Sequence, residues 1–305
     1  MVRTFSGAAS GTEGRQLRLQ RLLLAWFRTD ARPLAWRRTR DPYAILVSEI
    51  MLQQTQAERV EPFYENFLLE FPDVRSLAQA SRAAVLRAWG GLGYNRRAVS
   101  LHQAARTIVD RHGGRVPADL DDLLALPGVG AYTARAVMAF AFGADVAPVD
   151  VNVARILARA VTGQPMSRAQ TQHLADDLVP AGQAAEWTSA LMDLGAHYCT
   201  SRVPRCGACP VAATCAWRGG GSAADEASDP AAAAGRARAP EAFAGSDRYH
   251  RGRLVDTLRR GPVDTDGLPR AADLDDTGRL AALTRTLVDD GLAEWSDGSL
   301  QLPGS

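Results

Sequence analysis

Apolar side chains recur every three or four positions through most of this chain, and alternation with period two is nearly absent before residue 248. Residues 17–28, LRLQRLLLAWFR, carry a first helical stripe, which ARPLAWRRTRDP then breaks with two prolines and a basic cluster. From Asp41 the pattern predicts helices over about 43–55, 57–70, 82–89, 95–112, 119–125, 131–142 and 150–161, each punctuated by Gly, Pro or Asp. Two more are expected at about 167–179 and 183–197. The body reads as all-α.

Residues 219–247 are dominated by Gly, Ala, Ser and Pro and read as a flexible linker. Beyond it, RGRLVDTLRR and GRLAALTRTLVDDG look helical, while LAEWSDGSLQL shows two short alternating runs about an Asp-Gly turn. Helices followed by a hairpin suggest a small winged-helix-like module over 248–305. It holds 8 Arg against 10 acidic residues, so a docking or covering role is favoured over a grip on DNA.

Composition narrows the class further. With 305 residues, 46% hydrophobic and 23% charged, the chain can build one large or two modest cores. No apolar run approaches the ~20 residues that span a bilayer, and the start lacks the pattern of a secretory signal, so a cytosolic protein without a membrane partner is expected. The net charge of +1 hides an asymmetry: residues 1–218 carry 25 Arg against 19 acids, and 219–305 carry 10 against 15. A basic first part fits a polyanionic partner. Every one of the 35 basic residues is arginine, and lysine does not occur.

The four cysteines, Cys199, Cys206, Cys209 and Cys215, are spaced C-x6-C-x2-C-x5-C. Four thiolates on one short loop suit a tetrahedral zinc or a cubane iron-sulfur cluster, and the single close pair with widely set outer ligands favours [4Fe-4S]. His197 reads as a substitute ligand or a helix C-terminal cap. Arg202 and Arg205 lie inside the loop, where they face either phosphate or plain solvent.

Three further places carry candidate chemistry. In LPGVGAYTA, Gly128, Val129 and Gly130 stand between two helical patterns, a turn that lets backbone N–H groups approach an anion or simply joins two helices. Glu49 sits in DPYAILVSEIMLQQTQ among Val47, Ile50, Met51 and Leu52, surroundings that disfavour its charged form and suit a general acid. The alternative is a solvated face made with Ser48, Gln53, Gln54 and Gln56. Asp150 stands where a helix begins and reads first as an N-cap assisted by Asn152. A catalytic reading pairs it with Glu49, since glycosidic cleavage uses one acid and one anion.

Taken together, SEIMLQQTQ, WGGLGYNRRA, LPGVGAYTARAV, VDVNVARILAR and the cysteine spacing resemble the helix-hairpin-helix DNA glycosylases with an iron-sulfur cluster, and within them the MutY-type adenine DNA glycosylases. The resemblance covers about 15–217. It implies a core over 1–218, with a six-helix subdomain at about 42–147 and a cluster subdomain formed by about 15–41 and 148–218. It implies a nucleoid-associated monomer that binds double-stranded DNA containing a mispair and excises adenine opposite 8-oxoguanine or guanine by flipping it out. Glu49 would protonate the adenine at N7, Asp150 would stabilise the C1′ cation, Tyr132 would lie beside both and Asn152 would support the site. Gln53, Gln54 and Tyr94 lie in motifs that enter the duplex beside the mispair, and the 128–130 turn, Arg202 and Arg205 would hold its backbone. The cysteines would hold a [4Fe-4S] cluster.

Tyr132 occupies the position where lyase-active relatives such as endonuclease III place a Schiff-base lysine. A chain without lysine is expected to cleave the glycosidic bond and leave the strand uncut. The chain departs from the MutY pattern in two ways. Its last 58 residues do not match the domain with which many such enzymes read 8-oxoguanine, and Val151 stands where glycine is usual. Removal of thymine, uracil or hypoxanthine opposite guanine, or non-catalytic damage binding, are the alternative readings.

Overall fold

A computed structural model of the chain describes residues 7–218, 229–231 and 243–304. In chain order the helices are α1 (Gly7–Asp30), α2 (Pro42–Leu52), α3 (Ala57–Glu70), α4 (Val74–Gln79), α5 (Arg82–Ala88), α6 (Arg96–His112), α7 (Leu120–Leu124), α8 (Ala131–Ala141), α9 (Val151–Ile156), α10 (Arg168–Asp177) and α11 (Ala184–His197), followed by α12 (Asp247–Leu258), α13 (Leu268–Ala272) and α14 (Thr277–Asp289). Most starts are fixed by short polar side chains that accept otherwise orphaned N–H groups: Asp41 from Tyr43, Ser81 from Ala84, and capping boxes of Asp73 with Ser76 and Ser167 with Gln170. The all-α reading of the body holds, and the helix α4 is an addition to it.

The chain divides into two compact units. The first joins residues 1–33 to 134–237, and the second joins 34–133 to 238–305. In the first, the apolar stripe of α1 (Leu19, Leu23, Phe27) packs with Val153 and Ile156 of α9 and with Trp187, Leu191 and Leu194 of α11. Helix α9 runs on into a π-helical stretch, Leu157–Thr162, which turns the buried Arg159 toward the cysteine loop.

The second unit gathers α2–α7 around Phe67, Leu77, Trp89, Leu101 and Ile108, with Phe67 edge-on to Trp89 at 5.9 Å. Its C-terminal part is winged-helix-like. Helices α12–α14 carry a three-stranded antiparallel sheet, β1 (Val263–Asp264), β2 (Glu294–Ser296) and β3 (Ser299–Gln301), in the order β1-β3-β2. Leu300 lies opposite both Val263 and Trp295 and is fully buried. This module docks on α5 and α6: Ala83 N–H donates to Pro303 O, Arg259 donates to Leu86 O and Asn95 Oδ1, and Arg96 faces Asp290 at 3.3 Å.

Two expectations change. Helix α2 ends at Leu52 rather than near residue 55, because Gln53 leaves helical geometry and Gln54 adopts φ of 57°. Of the 219–247 linker, 219–228 and 232–242 lie outside the described residues, but 229–231 are anchored. The Asp229 carboxylate meets the buried Arg159 guanidinium at 2.5 Å and Pro230 is buried. A buried guanidinium needs a counter-charge, and this segment of the linker supplies it.

Candidate functional site

In the second unit the site grows from α2. Every residue from Tyr43 to Met51 is buried, so the helix has no solvated face. Ser48 is 1% exposed and donates to Ile45 O at 2.8 Å, and Glu49 is 4% exposed. The polar-face alternative for Glu49 is thereby removed. Burying a carboxyl in a helix without a solvated face carries a desolvation cost, which is more usual for a working group than for decoration.

The end of α2 is closed by a residue that the sequence reading passed over. Arg97, 9% exposed, donates to Ile50 O at 3.1 Å, to Met51 O at 2.7 Å and to Gln53 O, and its other nitrogen reaches Thr55 Oγ1 and Gly93 O, each at 3.1 Å. Burial pulls this guanidinium down to about 10. One side chain thus joins two turns in left-handed backbone, at Gln54 and at Tyr94, whose φ is 49°. Both residues are exposed. The signal was present in the sequence: helical spacing from the buried Leu101 and Ala104 puts Arg97 on the inward face of α6.

The glycine turn lies in the same unit. Gln53 Nε2 donates to Gly128 O at 3.2 Å and to Thr133 Oγ1 at 3.3 Å, so the end of α2 holds the hairpin. Gly128 has φ of +78°, and a Cβ there would meet Ser100 Cβ at 2.6 Å, so only glycine fits. Val129 is buried while Gly128 and Gly130 are exposed at the start of α8. Tyr132 is half-buried on that helix.

In the first unit Asp150 caps α9, accepting from Asn152 N–H at 2.9 Å and Val153 N–H at 2.7 Å. The N-cap reading of Asp150 is therefore correct, and it fixes the carboxylate at one helix end without removing its second oxygen from chemistry. Asn152 Nδ2 donates to that oxygen at 2.8 Å, and Asn152 Oδ1 accepts from Arg155 at 2.7 Å. Arg155 in turn donates to Cys199 O at 2.7 Å and Gly195 O at 3.1 Å. An unbroken chain of hydrogen bonds therefore runs from the Asp150 carboxylate to the first cysteine. Burial lowers the Arg155 guanidinium below the usual arginine value.

This chain needs α11 to come close. A Cβ on Gly195 would meet Asn152 Cβ at 2.8 Å and Ile156 Cδ1 at 3.3 Å. A Gly195→Ala chain should lose about 1–3 kcal/mol of stability through overpacking. The loss should appear as a lower denaturant midpoint as Asn152 is pushed off Asp150. An unchanged midpoint would show that α9 yields freely.

Cys199, Cys206, Cys209 and Cys215 all line one cavity, together with Arg159 and Trp217. Burial pushes the Cys209 thiol up to about 11 and raises that of Cys215, and the neighbouring sulfurs add to both shifts. So crowded a set of thiols is stable as thiolates only around positive charge. Among the described residues no three His, Cys, Asp or Glu side chains converge as a single-ion site. Four sulfurs lining one cavity are a donor set that fits a thiolate-held metal group. His197 is exposed and does not line the cavity. Arg159 donates to Cys199 Sγ at 3.6 Å and to Thr200 O at 2.7 Å. Arg202 and Arg205 are exposed on the loop.

The candidates therefore gather in two places. Glu49, Gln53, Gln54, Tyr94, the 128–130 turn and Tyr132 lie in the second unit, and Asp150, Asn152, Arg202, Arg205 and the cysteines lie in the first.

A family model described as HhH-GPD superfamily base excision DNA repair protein matches residues 47–181. An adenine DNA glycosylase of Mycolicibacterium smegmatis is 43% identical over 288 residues, which cover 92% of this chain and 95% of that protein. One of Mycobacterium tuberculosis is 44% identical over 290 residues, 92% of each. A solved thermostable thymine-DNA glycosylase superposes with a TM-score of 0.65 at 33% identity, covering 68% of this chain and 99% of that one. Matched over 92% of its length by relatives of this similarity, the chain belongs to the HhH-GPD superfamily of base excision DNA repair proteins.

Proposed function

We propose that the protein is a monofunctional adenine DNA glycosylase, which excises adenine mispaired with 8-oxoguanine or guanine from duplex DNA. The observation that carries this reading is the match to adenine DNA glycosylases over 92% of the chain, well beyond the 47–181 family segment. The chemistry follows from the substrate. A base inside a duplex must be extruded, at a cost of a few kcal/mol that is lowest for a mispair. Gln54 and Tyr94 enter the stack beside it, and the N–H groups of the 128–130 turn with Arg202 and Arg205 bind the backbone.

As the C1′–N9 bond breaks, its electrons pass to the adenine and Glu49 delivers a proton to N7. Asp150, held in place by Asn152, stabilises the positive sugar until water adds at C1′ and gives up a proton, which restores the Glu49 acid. Tyr132 lies in the lysine position of the lyase-active relatives and forms no Schiff base, so the abasic strand is left intact. Cys199, Cys206, Cys209 and Cys215 would hold a [4Fe-4S] cluster, which supplies positive charge and rigidity to the loop. Through Arg155 and Asn152 that rigidity reaches Asp150.

A second reading, removal of thymine or uracil opposite guanine, is favoured by the similarity to the thymine-DNA glycosylase. Labelled duplexes with adenine, thymine, uracil or hypoxanthine opposite guanine and 8-oxoguanine separate the two. Cleavage on the gel only after alkali, and only for adenine, is the expected result. Strand breaks before alkali would overturn the monofunctional reading, and release of thymine in preference to adenine would establish the second.

A further inference from the structure

The C-terminal module does more than dock. Helix α12 is tied to the Tyr94 turn at both ends: Arg259 donates to Asn95 Oδ1 at 2.7 Å, and Arg248 donates from Nη1 to the Tyr94 hydroxyl at 3.0 Å. The Arg248 guanidinium lies 5.7 Å from the Tyr94 ring centre and 4.9 Å from that of Phe243. Both rings are exposed, Tyr94 to 42% and Phe243 to 54%, and Arg248 is exposed with them.

Of the other arginines of α12 and its C-cap, Arg251 is paired with Asp290 and Arg259 with Asp256. Arg253 is exposed without an acidic partner among the described residues and donates to the Tyr249 hydroxyl at 3.5 Å. What sets Arg248 apart from Arg253 is the ring it meets, that of Tyr94. Arg248 has no acidic partner among the described residues, and no hydrogen bond to a described residue besides the tyrosine hydroxyl. A guanidinium carries five N–H donors, so this one is oriented by two aromatic faces and one hydroxyl while most of its donors and its whole charge remain for a ligand. The ligand chemistry that suits an uncompensated, aromatic-flanked guanidinium beside an exposed tyrosine is the phosphodiester of a nucleic acid backbone.

We propose that Arg248 is a phosphate-binding residue, through which the C-terminal module grips the duplex next to the strand position that Tyr94 enters. This rests on the glycosylase reading. It also revises the module's role: one of its exposed arginines sits against Tyr94, where the glycosylase reading brings the duplex.

The test is equilibrium binding of the full chain to a fluorescein-labelled duplex with adenine opposite 8-oxoguanine, at graded salt. The unaltered chain, Arg248→Gln, Arg248→Lys and, as a charge-matched control, Arg285→Gln on the exposed face of α14 are compared. Arg248→Gln should bind severalfold more weakly at low salt, and its plot of log K against log salt should be shallower by about 0.9, the loss of one phosphate contact. Arg248→Lys should keep the slope of the unaltered chain, and Arg285→Gln should change neither quantity. An Arg248→Gln slope equal to that of the unaltered chain overturns the proposal alone, as does an equal loss in Arg285→Gln. Failure of the unaltered chain to bind any duplex overturns the proposal together with the glycosylase reading.

Discussion

A Glu49→Gln chain should excise adenine about 10²–10⁴-fold more slowly than the unaltered chain, the usual contribution of a positioned general acid. It should still bind the mispaired duplex and unfold at nearly the same temperature. The reason is steric identity with chemical difference. Glu49 is 4% exposed in the middle of a helix whose neighbours Val47, Ile50 and Met51 are fully buried. Gln keeps the volume and can still accept and donate hydrogen bonds there, so the packing of α2 is retained, but its amide N–H is far too weak an acid to protonate the departing base. Replacing a buried carboxyl by a neutral amide also removes a desolvation cost, so stability should hold or rise. Single-turnover excision with enzyme in excess isolates the chemical step. A rate within about threefold of the unaltered chain would mean that another group supplies the proton, since a general acid is worth far more than that.

Much of this site was legible because its determinants are local. The helix expected at 57–70 is Ala57–Glu70, and that expected at 183–197 is Ala184–His197. Asp150 announces the start of α9 by its own side chain, and Gly128 marks a turn that only glycine tolerates. Glu49 had two readings of equal merit from periodicity alone, because an acid beside several glutamines patterns equally well as a solvated face. Tertiary burial on all sides of α2 decided between them.

What sequence pattern did not reveal depends on partners distant in the chain. The end of α2 is set by Arg97, more than forty positions later, which takes the carbonyls that a further helical turn would have used. Asp229, inside a stretch with no apolar pattern, is recognisable only from the buried Arg159 that it neutralises. Arg248 is one arginine among eight in its module, and its difference from Arg251 and Arg259 lies in the acids they meet rather than in its neighbours along the chain. Arginine-only composition adds to this difficulty, since structural and ligand-binding cations carry the same letter.

The second large effect is expected at the cysteines. If the four cysteines hold the proposed [4Fe-4S] cluster, a Cys209→Ser chain should lose the iron and visible absorption of the unaltered chain, and trypsin should cut it rapidly at Arg202 and Arg205. Between Cys199 and Cys215 the loop contains only two single-turn 3-10 stretches, Cys206–Ala208 and Ala212–Thr214, and buries Val211 and Thr214. That is too little apolar surface to order some seventeen residues against roughly 1–2 kcal/mol of backbone entropy each. On the proposed ligation, the metal group supplies the difference. Structural metal sites contribute on the order of 10 kcal/mol, comparable with the net stability of a whole domain. Loss of one thiolate therefore should release the loop, and the release should propagate through Cys199 O, Arg155 and Asn152 to the Asp150 carboxylate, abolishing excision along with the cluster. Proteolysis distinguishes this from a local chemical lesion, because an ordered loop resists trypsin whether or not the enzyme turns over. If Cys209→Ser retained the iron content and the tryptic pattern of the unaltered chain, the loop would owe its order to the Arg159–Asp229 pair and the packing of Val211 instead, and the cysteine cavity would need another occupant.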